Sequence, residues 1–400
     1  MFVSKFFRYR SVGEQLMPLL RHLMQQCKKS NIEIPPTRDI VEALVAASDF
    51  GGMRDQQYYL DLAAKLQKPL GQIDLHAIIV YRKSVVLRRR NSVQDSQRVI
   101  QEFLNGQVTC TSPKMHAILG LLHISRAENW ACSLDFSRAQ LTVGGWELEE
   151  NPSSMQLWVL RCKLRVLGQS FKAHGMFEDS KHNFEGCLAA MRPHDSGRYL
   201  LKSNLADVYC ELHYLQYNSC ITTNTMHLNK AESIVRPEIE SLEMRGQSPS
   251  KPLRRLLLSL VEIELLRGRC EVAETLIRKL LAAYNMLGDA DPSDRVGHVR
   301  SLIAWARVSP PSEATARWRA AIECNHRYNP FEEEVFTCGV IYMFISLSCY
   351  NNNDADGCKA AIQRAREILG RKCKQFLIPG IGTYMYDFVR RELAQAGIVV

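Results

Sequence analysis

The chain has 400 residues, 46% hydrophobic and 23% charged, with 51 basic against 42 acidic residues and a formal net charge of +9. This is ordinary globular composition, long enough for two or three compact domains or one continuous solenoid. The cation excess is spread over a long chain, so it falls short of a nucleic-acid signature and mildly favours acidic partners. The 13 cysteines include no C-x-x-C pair and no regular framework, which excludes a disulfide-stapled secreted scaffold and points to reduced thiols in a cytoplasmic or nuclear protein.

In chain order, MFVSKFFRYR alternates aromatic and basic residues and has no acid before Glu14. It reads either as a targeting or membrane-surface segment or as a capping helix with solvated bases; the lack of a secretory apolar region and cleavage site favours the cap. Residues 13–67 read as three helices separated by Ile34-Pro35-Pro36-Thr37 and by Gly51-Gly52, so residues 1–68 are taken as an N-terminal helical cap. Lys83 and Arg88-Arg89-Arg90 close the helix that follows, where cations suit the carbonyl end of the dipole.

From there one spacing recurs. In Gly168, Phe171, Gly175, Ser180, Phe184 and Cys187 the gaps are three, four, five, four and three. Gaps of three and four keep residues on one helical face, and the gap of five spans a turn, so the unit is a helical hairpin. Small residues at its first and last positions let two backbones approach, and Gly175 sits where a C-terminal cap needs a positive φ. The same spacing fits Ser84, Leu87, Asn91, Ser96, Ile100 and Phe103, and also Gly120, His123, Ala127, Cys132, Phe136 and Ala139. It returns in Val261, Glu264, Gly268, Ala273, Ile277 and Leu280, in Leu302, Trp305, Ser309, Ala314, Trp318 and Ala321, and in Ser346, Cys349, Asn353, Cys358, Ile362 and Ala365. One further unit begins with Ala206 and Tyr209, is interrupted by the polar surface loop Tyr217–Thr225, and resumes near Lys230. Such hairpins leave apolar surface bare on both sides and are stable when neighbouring copies cover it.

The order small, aromatic, glycine, alanine, aromatic, alanine resembles the tetratricopeptide repeat superfamily over roughly residues 70–370. The resemblance implies an all-α, right-handed α-solenoid of antiparallel helix pairs, with an array over residues 69–370 between the N-terminal cap and a C-terminal capping segment, residues 371–400. Breaks at residues 246–252 and 289–294 are loops between hairpins, with Pro252 in a first helical turn. The apolar run Val335–Tyr350 is too short to span a membrane and reads as a buried repeat helix.

The sequence contains no Walker loop, G-x-G-x-x-G, H-E-x-x-H or G-x-S-x-G, and no catalytic residue, metal ligand or cofactor site is assigned. His174 with His182, and His116 with His123, supply no converging ligand set. Glu332-Glu333-Glu334 is explained by a helix N-terminus, and Glu178 with Glu185 by a solvated face.

In the family that the chain resembles, first helices of the hairpins line a concave groove. That places Arg165, Gln169, Lys172, Asn204, Asp207, Arg255 and Ser259 on a peptide-binding groove, with Glu262 beyond them. Some family members clamp the C-terminal carboxylate of a heat-shock chaperone, and Arg165, Gln169, Asn204, Arg255 and Ser259 fall at the clamp positions; Ser259 replaces an arginine there and removes its charge. The expectation is a scaffold or adaptor holding an acidic or C-terminal peptide of a partner protein. The alternatives are a helical sensor module of a larger ATP-dependent signalling protein, or an enzyme or RNA binder without a recognisable motif.

Overall fold

In a computed structural model, the described residues are 10–49, 53–90, 92–106, 112–133, 135–192, 195, 197–219, 225–246, 250–287, 295–328, 335–372, 374–378 and 380–400. The N-terminal aromatic and basic stretch up to residue 9, Gly51-Gly52, Asn91, the loop residues 220–224, the break at 289–294, Glu332-Glu333-Glu334 and Pro379 lie outside them. The described residues are all-α and contain no strand. No described helix is long and apolar enough to cross a membrane.

Two compact units divide the chain, residues 1–167 and 168–400. The first holds α1 (Arg10–Lys29), α2 (Arg38–Ala47), α3 (Met53–Gln67), α4 (Ile73–Arg89), α5 (Val93–Leu104), α6 (Pro113–Cys132), α7 (Phe136–Gly144) and most of α8 (Ser154–Ala173). The second holds the end of α8, then α9 (Phe177–Ala189), α10 (Arg198–Ser219), α11 (Met226–Met244), α12 (Lys251–Leu266) and α13 (Cys270–Leu287). It continues with α14 (Arg295–Arg307), α15 (Pro311–Tyr328), α16 (Phe336–Asn351), α17 (Ala355–Leu369) and α18 (Thr383–Gln395).

Helix starts follow the local chemistry. Ser112, Asp135, Ser250 and Asp354 each accept a backbone N–H three residues on, and Pro113 and Pro252 occupy first turns, where no N–H is missed. The turns between paired helices share one geometry. Gly175, Gly268 and Asn353 have φ of 77°, 73° and 58°, and the next residue's N–H bonds the carbonyl five positions back: Met176 to Phe171, Arg269 to Glu264, Asp354 to Cys349, each at 2.9 Å. This is the Schellman closure that a left-handed residue permits.

The recurring small residues sit where paired helices cross. The hydroxyls of Ser180 and Ser96 each donate to the first-position carbonyl of the partner helix, Gly168 and Ser84, at 2.8 Å, and Ser346 donates to Cys358 at 3.2 Å. A Cβ on Gly168 would stand 2.6 Å from the Phe184 ring. Paired helices are α4 with α5, α6 with α7, α10 with α11, α12 with α13, α14 with α15 and α16 with α17. First helices also touch first helices: α4 meets α6, α10 meets α12, and α12 meets α14.

Two expectations are corrected. The copy assigned to Gly120 is set two helical turns early: α6 runs to Cys132, so Ala127 is helical and the turn is closed by Asp135 N–H on the Trp130 carbonyl at 2.9 Å. Ala127, Ala139, Val143 and Trp146 carry that hairpin's buried contacts. The polar insertion is shorter than expected, because α10 continues through Tyr217 to Ser219 and α11 begins at Met226 rather than near Lys230.

Candidate functional site

Within residues 168–400, the first helices share a polar face built around two carboxylates. Asp207 on α10 receives both terminal nitrogens of Arg300 on α14, at 2.8 and 2.6 Å, the Ser259 hydroxyl of α12 at 2.9 Å and the Lys172 ammonium of α8 at 3.2 Å. Lys172 also reaches Asn204 Oδ1 at 3.4 Å, and Ser259 and Ser203 exchange a hydroxyl contact at 2.8 Å. Burial pushes the Asp207 carboxyl up, but Arg300 and then Lys172 outweigh it and hold it down at about 2. The second carboxylate, Glu262 on α12, accepts from Arg307 of α14 and from the Tyr384 hydroxyl of α18, each at 2.6 Å.

Across this face lies the chain's own C-terminal segment, whose described residues 374–378 and 380–382 are non-helical before α18 begins at Thr383. Phe376 N–H donates to the Ala173 carbonyl at the end of α8 at 3.0 Å. A Cβ on Gly380, whose φ is +83°, would lie 3.4 Å from Arg300 Cγ and 3.5 Å from both Glu262 Oε1 and Ile303 Cγ2. One on Gly382 would fall 1.5 Å from Glu211 Oε1, so a side chain there is incompatible with the contact. The Tyr384 ring lies tilted 54° to that of Tyr214, centroids 5.8 Å apart, with the Arg307 guanidinium over it at 5.3 Å. Phe376 and Tyr386 meet Phe336, and Phe388 meets Phe344, on α16. Ile378, Ile381, Tyr384, Met385, Val389 and Leu393 are buried.

Glu211 of α10 is the anchor of this segment. Its carboxyl takes hydrogen bonds from the backbone N–H groups of Tyr384 and Thr383, the first turn of α18, where a helix presents donors without partners. Burial raises this carboxyl to about 8; the charge of Glu262 adds to the rise, while the two backbone donors and Lys172 oppose it. Glu211 Oε2, Glu262 Oε1 and Arg300 Nε have no hydrogen-bond partner among the described residues. The Tyr384 phenol is pushed well above its usual range, by burial first, and so remains a donor to Glu262.

The expected groove residues divide between the units. Lys172, Asn204, Asp207 and Ser259 converge in the second unit as one hydrogen-bonded set. Gln169 and Arg255 are half-buried, and the Arg255 carbonyl accepts from Ser203 at 3.2 Å. Arg165 belongs to the first unit, where it donates to Glu128 of α6 at 2.5 Å. Arg88 of α4 shares that carboxylate and also reaches Ser125 at 2.8 Å and Asn129 at 3.0 Å. Arg88 therefore bridges first helices instead of only closing its own. Burial raises the Glu128 carboxyl, and the two guanidinium groups more than reverse this.

Glu211, Arg300, Arg307 and Tyr384 were missed. Arg300 had a signal: it stands two residues before Leu302, as Asn204 stands two before Ala206 and Ser259 two before Val261. The described His, Cys, Asp and Glu residues form no cluster that could hold a metal ion.

No protein-family model matches the chain, and no curated protein matches it. Among solved structures it is similar to the crystal structure of BtubC (BKLC) from P. vanneervenii, at 14% identity over 67% of this chain and 99% of that one, with a TM-score of 0.36. At that score the likeness fixes neither fold nor function.

Proposed function

We propose that this chain is a protein-interaction scaffold of the tetratricopeptide type, whose first helices hold a peptide segment of a partner. The hairpins would stack within each unit with the right-handed turn of that family, and the protein would work in the cytoplasm or nucleus. The observation that supports the reading is the C-terminal segment, whose described residues 374–378 and 380–382 are non-helical and run into the helix start at Thr383, held on side chains of α10 and α12 through main-chain and phenol hydrogen bonds and under Arg307 of α14. A surface that accepts one peptide in this way has the donors, acceptors and apolar seats that peptide recognition needs. Lys172 and Asn204, at the α8 edge of this face, belong to the residues that a partner peptide would meet.

The test is affinity capture with mass spectrometry on the wild type and on Gln169→Ala with Lys172→Ala. Lys172 can be removed without stranding Asp207, which keeps Arg300. The α8 variant is expected to lose partners that a control, Arg278→Ala with Lys279→Ala on α13, retains. Undiminished capture by the α8 variant, with the control weakened, would move the interaction to the second helices.

A further inference from the structure

We propose that residues 374–378 and 380–395 form a displaceable strap, and that the surface beneath it docks a partner segment of the type Gly-x-Gly-x-Tyr in the strap's place. This deepens the scaffold reading and rests on it, since it names the chemistry of the peptide that the polar face takes.

The face itself specifies that chemistry. Glu211 leaves no room for a side chain at the position of Gly382. The position of Gly380 requires a left-handed backbone, with Arg300, Glu262 and Ile303 around it. Glu262 with Arg307 receives a phenol hydroxyl, and Tyr214 receives its ring. The two backbone N–H groups that Glu211 binds open a helix, so the incoming segment turns helical after its second glycine. Lys172, Arg300 and Arg307 already have acidic partners in Asp207 and Glu262, so what the face asks of a ligand is donors rather than carboxylates.

The closed form also carries its own reason to open. Glu211 Oε2, Glu262 Oε1 and Arg300 Nε are buried without hydrogen-bond partners among the described residues, and buried polar atoms in that state weigh against the closed form. Between α17 and the strap the described residues 370–372 are non-helical, so the strap can lift without unwinding the hairpin that precedes it.

Hydrogen exchange on the full chain tests displacement directly. Amides of Tyr384, Val389 and Leu393 are expected to open as a group at least tenfold more often than those of Leu256, Leu260 and Ile263, which are buried on α12. Equal protection would make the strap a fixed part of the core and overturn the proposal. A labelled peptide of residues 374–390 is then titrated against full-length wild type, Gly382→Ala and Tyr384→Phe. Both variants loosen the resident strap, and both are expected to bind the peptide at least tenfold more tightly than wild type, a gain abolished by adding Glu262→Gln. If Gly382→Ala does not fold, Tyr384→Phe alone decides, because it keeps the ring. No gain in a folded variant, or equal binding of a peptide carrying alanine in place of Gly382, overturns the proposal. These measurements report on the strap alone, whereas partner capture by the α8 variant reports on the scaffold reading.

Discussion

Arg300 reaches Asp207 with both terminal nitrogens, 2.8 and 2.6 Å from the two carboxylate oxygens, across 93 residues of sequence. The pair ties α14 to α10, which lie on either side of α12, and Ser259 of α12 closes the set at 2.9 Å. Its energetics are those of a buried ion pair: desolvation opposes it, and the bidentate geometry offsets much of that cost. Arg300→Leu leaves Asp207 with Lys172 and Ser259 only, and is expected to destabilise by about 3 to 5 kcal/mol. Adding Asp207→Asn to that variant is expected to restore part of the loss. Denaturant midpoints of the two single variants and the double variant measure the coupling.

Glu211 makes the second unit sensitive to pH. Its carboxyl is raised from 4.5 to about 8 in the folded chain, so the folded state holds a proton that the unfolded state has released. The contribution is fully present below 4.5 and is lost as pH rises through about 8. Glu211→Gln keeps the shape and removes the titration. Its melting temperature is expected to depend less on pH between these limits than that of the wild type; parallel profiles would show that Glu211 does not set the dependence.

Asp207 acts with the opposite sign. Held at about 2 against an ordinary 3.8, it stabilises the fold above 3.8, and that contribution is lost as pH falls through about 2. Asp207→Asn is expected to flatten the acid limb of the melting profile while leaving the alkaline limb to Glu211.

The crossing of α8 with α9 leaves no space at Gly168, where an added Cβ meets the Phe184 ring at 2.6 Å. Gly168→Ala is expected to cost about 1 to 3 kcal/mol through overpacking, despite alanine's better helix propensity. Ala273, fully buried at the matching crossing of α12 with α13, is expected to respond to Ala273→Phe by at least as much. Thermal melting of each variant checks the assigned phase; an unchanged melting temperature would contradict it.

In the first unit, Glu128 serves Arg88 and Arg165 together. Glu128→Gln removes the shared counter-charge and is expected to cost about 1.5 to 3 kcal/mol, the range for hydrogen bonds to charged groups. A urea midpoint lowered at unchanged slope is the expected signature.

The hairpins were legible because their closing turns impose residue types. Gly175, Gly268 and Asn353 are left-handed, and few side chains accept that conformation, so the spacing around them is fixed by geometry. The phase error at Gly120 has the same physical root. Residues seven apart share a helical face, and Gly120 and Ala127 are both small and buried on α6, so the template fits one register two turns early. Among site residues, Lys172, Asn204, Asp207 and Ser259 were legible from their place on the ladder's first helices, and Arg300 shares with Asn204 and Ser259 the offset of two residues before the first position. The strap was not legible. Its contacts join Tyr384 to Glu262 and Gly382 to Glu211 through an irregular backbone, which leaves no period in the sequence. Nor does any local pattern distinguish Glu211 from an exposed helix glutamate; its burial depends on what the C-terminal segment does.

The most direct measurement of the central claim is site-specific photo-crosslinking from the full chain. A photoreactive side chain is placed at Gln169, half-buried on α8, or at Arg278, an exposed second-helix residue of α13. Partner peptides identified by mass spectrometry are expected from the Gln169 position and not from Arg278. Crosslinks from Arg278 with none from Gln169 would contradict the claim that the first helices hold the partner.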